Sequence, residues 1–404
     1  MIEGRHGLAP KTAGVLAAAF ALAGPVLAMA PLGMAPLLIA TAVLATGAER
    51  LSARPWPRPP IAALMSLGAL VAWCAVSLLW DIDPGDGARK LIDLIVVAAS
   101  LMALLGLGGA MSPGQRRRCG LFLIGGLSIG LILLVIETAF DFPLYRLIKG
   151  DSDPKLADLV ESKRAVDALP LLVWPAALAL AALGKPRLGV FLAVVFAVTC
   201  TVWTASSATL GMAVALAILA LAYWSIKAAS RLLAATTILA FALIVPLSII
   251  AYSHGGSVAH GLKRSGQHRL EIWHFAAEKT LEGPLFGHGF NASRVIPNGD
   301  AVSAFLAPGK PIIPLHPHDA FLQIWLELGL VGVVVAVLSL LSSLRAVEGW
   351  PKITARFALA GYAAALVVAG LAFGIWQSWW MATLAFSIVS CHALATDAPG
   401  ENNA

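Results

Sequence analysis

Charge is what this sequence has least of. Asp, Glu, Lys and Arg make up only 12% of its 404 residues, about half of the roughly 25% that an ordinary soluble domain carries. That scarcity excludes a soluble globule. Cysteine is scarce too. Cys74, Cys119, Cys200 and Cys391 each lie in or beside an apolar run, and no two share a zinc-type spacing. A disulfide framework and a thiolate metal site are therefore not expected, and all four read as small buried hydrophobes. Internal repeats and low-complexity tracts are also missing.

Apolar residues fill the space that charge leaves. They make up 59% of the chain and come in long runs of about 17 to 25 residues, the length at which a helix spans a bilayer. The expectation is an all-α, polytopic integral membrane protein, one membrane domain over 1–404. Twelve spans are expected near 13–30, 32–47, 61–80, 91–108, 119–140, 168–184, 188–205, 208–226, 232–252, 320–344, 357–374 and 376–395. The first run follows Arg5 and Lys11, and Ala28 and Ala30 could mark a signal-peptide cleavage site. A second apolar run follows almost at once, which favours a retained first helix.

Basic residues set the orientation. With the N-terminus inside, the short inside loops hold Arg50, Arg54 and Arg58; Arg116, Arg117 and Arg118; Lys185 and Arg187; Lys227 and Arg231; and Arg345, Lys352 and Arg356. The outside segments hold Asp81, Asp83, Asp86, Asp141, Asp151, Asp153, Asp158 and Glu161. Both termini are thus expected in the cytoplasm. Two outside segments are too long for plain turns, 141–167 and 253–319, and loops of that length are uncommon unless functional or disordered. The second mixes Trp273, Phe275, Phe286, Phe290 and Phe305 with charges and glycines, the makings of a small packed cap before the tenth span.

Within that loop Ser265 is a plausible N-cap for a helix over 266–281. Arg269 and Trp273 share one face of it, and Glu282-Gly283-Pro284 stops it. Next come Gly287 and Gly289, which let the backbone turn tightly or approach a ligand. Arg264 and Arg269 could equally be interfacial anchors of a helix lying on the membrane. Further on, His316-Pro317-His318-Asp319 runs into the tenth span. That helix starts at the outer face, so its free N–H groups favour an anion there. Asp319, Gln323 and Glu327 follow at four-residue spacing as one polar stripe. Glu327 lies roughly 12 Å down the helix at ~1.5 Å per residue. An ionisable residue at that depth is expensive, and it marks a functional site facing the bundle interior.

Two histidines alone do not make a metal site, which needs three or more ligands. His254, His260, His268 and His288 lie outside too, but a general base is the better reading, because a neutral histidine can take a proton from a hydroxyl near neutral pH. Interfacial histidines without a catalytic part are the plain alternative. A third feature, Glu161-Ser162-Lys163-Arg164-Ala165-Val166-Asp167, is either membrane-edge charge or a cationic site for a phosphate-bearing lipid, with Arg164 converging on Arg269.

Taken together, Arg269-x3-Trp273, Gly283-Pro284-Leu285-x-Gly287-x-Gly289 and His316-x-His318-Asp319-x2-Leu322-Gln323-x3-Glu327-x-Gly329-x2-Gly332 resemble the signature of the O-antigen ligase/polymerase superfamily. The motif covers about sixty residues, and the expected topology extends the likeness along the chain. The resemblance implies a membrane glycosyltransferase of the bacterial inner membrane with its site in the periplasm. It implies an undecaprenyl pyrophosphate-linked glycan as donor and lipid A–core as acceptor, or a second carrier-linked repeat if the chain is a polymerase. It implies metal-independent, inverting transfer without cofactor, and no nucleic-acid partner. Carried over by position, His318 is the catalytic histidine and Arg269 a pyrophosphate ligand. Arg164, Arg264, His316, Asp319, Gln323 and Glu327 are candidate substrate contacts.

The chain departs from the family's pattern twice. His318 is followed by Asp319 where the family usually has Asn or Ser. Many ligases carry a Ser-Arg pair between the seventh and eighth spans, whereas Thr204-Ala205-Ser206-Ser207-Ala208-Thr209 has no arginine. A secondary transporter is the alternative from another class. The lack of related halves and the two long outside loops speak against it.

Overall fold

The computed structural model describes residues 7–52, 54–149, 157–203, 205–253, 264–305 and 310–395. Their α-helices are α1 (Pro10–Met29), α2 (Met34–Arg50), α3 (Ile61–Ser77), α4 (Pro84–Gly109), α5 (Pro113–Ala139), α6 (Pro143–Lys149), α7 (Ala157–Ala168), α8 (Pro170–Ala182), α9 (Pro186–Val202), α10 (Ser206–Trp224), α11 (Ile226–Ser253), α12 (Arg264–Glu282), α13 (Ala320–Glu348), α14 (Lys352–Leu371) and α15 (Ser378–Ala393). Among the described residues no β-strand forms, and one isolated bridge pairs Val302 with Pro311. The chain is an all-α, multi-pass membrane protein.

Each of the twelve expected spans falls on a helix. Among the described residues eight segments are long and apolar enough to cross a membrane, and Ile61–Ser77, Pro170–Ala182 and Pro186–Val202 are shorter apolar helices. Their outward faces are greasy, with Ile61, Met65, Phe191, Val198 and Leu338 all exposed, as expected of surfaces solvated by lipid.

Small residues draw the first helix into the bundle. A Cβ on Gly24 would lie 2.2 Å from the Gly126 carbonyl oxygen of α5, and one on Gly126 would lie 2.2 Å from the Ala21 carbonyl oxygen. Gly126 and Gly130 stand one helical turn apart on the same face, and the two backbones touch, the usual way helices associate without a hydrophobic drive between them. α1 is thus an integral wall of the bundle.

Two expectations at the outer loop need correction. The helix after the ninth span begins at Arg264, so Ser265 sits inside its first turn rather than capping it. The expected cap also divides into two packed regions. Ile272, Ala276 and Ala277 of α12 join Ile296, Ile313, Leu322 and Leu326 in an apolar cluster that Trp273 and Phe275 flank. Phe286 instead leaves that cluster to join Trp73 and Trp80, with ring centroids 6.2 and 5.8 Å away, and Phe290 packs edge-on against Trp376 at 4.8 Å.

Candidate active site

The site is organised by a break in α13. Gly329 adopts φ 61° and ψ −165° inside the helix, a conformation essentially restricted to glycine. Breaking a helix at membrane depth leaves amides and carbonyls without water to solvate them, so they must find protein partners. The outer loop supplies these partners. His288 N–H donates to the Leu326 carbonyl at 3.0 Å and Gly289 N–H to the Glu327 carbonyl at 3.0 Å. In return Leu330 N–H donates to the Pro284 carbonyl at 2.9 Å and Val331 N–H to the Leu285 carbonyl at 3.3 Å. Trp73 Nε1 caps the Leu328 carbonyl at 3.1 Å.

This insertion explains the glycines. Gly287 has φ 71°, and a Cβ there would lie 2.4 Å from the Glu327 carbonyl carbon; a Cβ on Gly289, at φ 106°, would lie 2.4 Å from Asp81 Cα. The loop does approach something closely, but the something is the protein's own backbone, not a ligand.

Glu327 locks the inserted loop from inside. Its side chain is fully buried and accepts five hydrogen bonds. Oε1 receives Ser293 Oγ at 2.6 Å, Gln323 Nε2 at 3.0 Å and Ser293 N–H at 3.4 Å, while Oε2 receives Trp376 Nε1 at 2.5 Å and Asn291 N–H at 3.0 Å. A carboxylate is the one side chain with acceptor capacity for so many donors. Gln323 is equally committed, for its Oε1 accepts from Ile375 N–H at 2.9 Å. Gln323 also borders the cleft described below, whereas Glu327 is fully buried beneath the docked loop. Asp319 also turns inward. It is 3% exposed, and its Oδ1 caps α13 by accepting from Leu322 N–H at 2.9 Å. Burial pushes its carboxyl up to about 7 against the hydrogen bonds from the helix N-terminus.

These supports set the two histidines at the outer end of α13. His318 has φ 58°, an uncommon backbone conformation for a residue with a side chain. Its Nδ1 lies 2.9 Å from the Ala372 carbonyl oxygen. That oxygen only accepts, so Nδ1 carries the hydrogen and Nε2 is left with a lone pair. Burial holds His318 below the ordinary histidine value, with Arg269 and Lys163 acting in the same direction against the Ala372 contact. His318 is partly accessible; His316 beside it is 7% exposed. The two rings lie 4.3 Å apart. His316 Nδ1 accepts from His318 N–H at 3.2 Å, and its Nε2 lies 2.9 Å from the Gln377 amide nitrogen. Burial first, then His318, Arg294, Arg164 and Arg269, push His316 down to about 3.

The cations around this pair come from distant parts of the chain. Arg164 from α7, Arg269 from α12 and Arg294 from the loop after it all act on His316. Trp273 Nε1, one turn beyond Arg269, donates to the Pro317 carbonyl at 3.0 Å and so ties α12 to the histidine segment. Lys90, Arg164, Arg294 and His316 line a cleft of about 280 Å³, and Asn291, Gln323, Gln377 and Trp379 also border it. Arg264 opens α12, and its side chain lies outside the described residues.

Near the missing arginine the structure shows a carboxylate instead. Ser207 Oγ donates to Asp167 Oδ1 at 2.5 Å. Burial raises the Asp167 carboxyl, opposed by that hydrogen bond and by Lys163 and Arg269. Burial conversely lowers Arg269, with Asp167 opposing. The other outer histidines point elsewhere. His268 Nε2 meets the Ile312 carbonyl at 3.0 Å, and His288 Nε2 meets the Lys279 carbonyl at 2.7 Å. His254 and His260 lie outside the described residues.

Sequence reasoning missed Lys90, Asp86, Asn291, Arg294, Trp376 and Gln377. The short stretch Asn291-Ala292-Ser293-Arg294 carries no spacing signal; only the loop's docking on Glu327 brings it to the histidines.

Residues 192–337 match the O-antigen ligase family, an interval holding Arg269, Arg294, both histidines and Gly329 but not Arg164 or Lys90. The chain is 27% identical over 321 residues to a protein of Rickettsia conorii named "Putative polysaccharide ligase", covering 77% of this chain and 75% of that one. A Rickettsia felis protein of the same name is 26% identical over 324 residues, with the same shares covered. A Rickettsia prowazekii protein so named is 34% identical over 121 residues, 29% of each chain.

Proposed function

We propose that this chain, whose residues 192–337 carry an O-antigen ligase domain, is a membrane glycosyltransferase. It moves a glycan from undecaprenyl pyrophosphate to lipid A–core on the periplasmic face of the bacterial inner membrane. The observation that carries this reading is the fixed tautomer of His318, with Nε2 free as a base beside converging arginines.

The chemistry follows from that pairing. A sugar hydroxyl is a weak nucleophile and needs a base. His318 Nε2 takes its proton as the oxygen bonds to the anomeric carbon of the donor. The bond from that carbon to the diphosphate oxygen breaks, and the electron pair leaves with the diphosphate. Attack opposite the leaving group inverts the configuration. The departing charge is stabilised by Arg269 and Arg164, since guanidinium groups hold phosphate oxygens bidentately. Arg264, on the first turn of α12, is a further candidate for the same charge. His316 holds the His318 backbone through its Nδ1, while Asp319, Gln323 and Glu327 keep the helix start and the loop in place.

Glycan profiling of a deletion strain tests this reading. Loss of the chain should leave lipid A–core without polymer and polymer stranded on its carrier. Single-repeat caps on the core would instead identify a polymerase acting on carrier-linked repeats. An unchanged profile would sink the transferase reading.

A further inference from the structure

Arg294 has no part in the sequence motif, yet it lies at the mouth of the site. It lines the cleft together with Arg164, His316 and Lys90, and of the arginines acting on His316 it stands first. Its neighbours leave it available. Arg294 Nε lies 4.0 Å from Asp86 Oδ2, a loose pairing, and that same carboxylate oxygen is already taken by Asn291 Nδ2 at 2.8 Å. The side chain is 39% exposed. Lys90, by contrast, is tightly held, 2.7 Å from Asp93 Oδ2.

A diphosphate ester carries about two negative charges, and two arginines, Arg164 and Arg294, border the cleft. Asp167 acts on Arg269 and itself accepts from Ser207 Oγ. Lys90 is offset by Asp93. The cleft also opens beside exposed apolar groups, since Leu32 is 55% and Leu315 48% exposed and both line it. An anionic cleft ligand with an adjoining greasy rim is a phosphate on a lipid, not a free one.

We infer that Arg294 is a diphosphate-holding residue of the donor site, placed beside Arg164 on the cleft and near the Asp86 carboxylate. This rests on the transferase reading above and assigns it a residue. Asp86 acts as a positioning residue. It anchors Asn291, whose own N–H is fixed on Glu327, and its Oδ2 lies 4.0 Å from Arg294 Nε, too far for a hydrogen bond but near enough for its charge to draw the guanidinium toward the cleft.

The test is binding of undecaprenyl diphosphate without glycan to the full chain in nanodiscs, with inorganic pyrophosphate as competitor. Arg294→Ala should weaken binding about ten- to a hundredfold, the range of a lost charge-assisted hydrogen bond, and Arg294→Lys should recover part of it. Asp86→Asn should weaken it less, and raise the donor KM while leaving kcat near wild type. Arg146→Ala, which loses its pairing with Asp141 and does not line the cleft, should bind as wild type, and pyrophosphate should compete less well against Arg294→Ala than against wild type. Wild-type binding that Arg294→Ala leaves unchanged overturns this inference and spares the transferase reading. A rise in acceptor KM alone also overturns it. Failure of the wild type itself to bind the carrier diphosphate removes the donor reading, and this inference with it.

Discussion

His318 joins a strained backbone, a donated Nδ1 hydrogen and a depressed basicity in one residue. A base must be unprotonated to act. Because burial holds His318 below its ordinary value of 6.5, it stays neutral to more acid pH than a free imidazole. Transfer measured against pH should therefore run level from about pH 8 down through 6.5 and fall only below that. An acid limb centred at or above 6.5 would contradict the assignment. Asp319 titrates the other way. Its folded value of about 7 stands above the exposed 3.8, so the folded chain holds the proton more tightly than the unfolded one. Its burial thus costs stability above about pH 7, and the cost is relieved as pH falls toward 3.8. Asn caps a helix as well as Asp does. Asp319→Asn should raise the thermal midpoint at pH 8, with the gain shrinking below pH 7, whereas Asp319→Ala, which sheds the same charge but also loses the cap, should fall about 1 kcal/mol short of Asp319→Asn. A lower midpoint for Asp319→Asn at pH 8 would contradict the cost assigned to the buried charge. At this scale the sequence offered His318, Arg269 and Arg164 as candidates, by residue type and by the resemblance to the O-antigen ligase superfamily. It did not reveal Arg294 or Asp86, because their meeting depends on a loop whose path is set by Glu327.

Among elements, the docking of the loop at Gly283–Gly289 on the broken helix is the main structural device. The sequence showed a helix breaker and two permissive glycines, and it showed a buried glutamate further along. It could not show that one is the partner of the other, since hydrogen bonds between Leu326–Val331 and Pro284–Gly289 leave no periodic trace. Gly287→Ala should destabilise the fold by ~2 kcal/mol or more through its positive φ and its clash with the Glu327 carbonyl. Gly68→Ala, where a Cβ meets nothing within 4 Å, should leave the thermal midpoint unchanged. Glu327→Gln keeps the volume but replaces an acceptor by a donor facing donors. Hydrogen exchange should then quicken at 284–294 while distant helices keep their protection; uniform exchange would argue against the lock.

For the whole molecule, the twelve apolar runs each fall on a helix, but they do not cover α6, α7 or α12. What they could not supply was the joining of α7, α12, α13 and the outer loop at one point. That meeting is a matter of tertiary packing between segments far apart in the chain. Orientation is open to direct measurement because the native cysteines at 74, 119, 200 and 391 are all buried. With the inside loops as assigned, an impermeant maleimide applied from the periplasm should label Ala301→Cys and not Gly114→Cys, both at exposed positions. The reverse pattern would invert the topology and put the histidines on the wrong side for a periplasmic acceptor. The most direct test of the central claim is transfer by the purified full chain in nanodiscs, from an undecaprenyl pyrophosphate-linked glycan to lipid A–core, comparing wild type with His318→Ala. The expected result is a loss of about 10²- to 10⁴-fold in rate with carrier binding and thermal midpoint retained. Transfer by His318→Ala at the wild-type rate would contradict it.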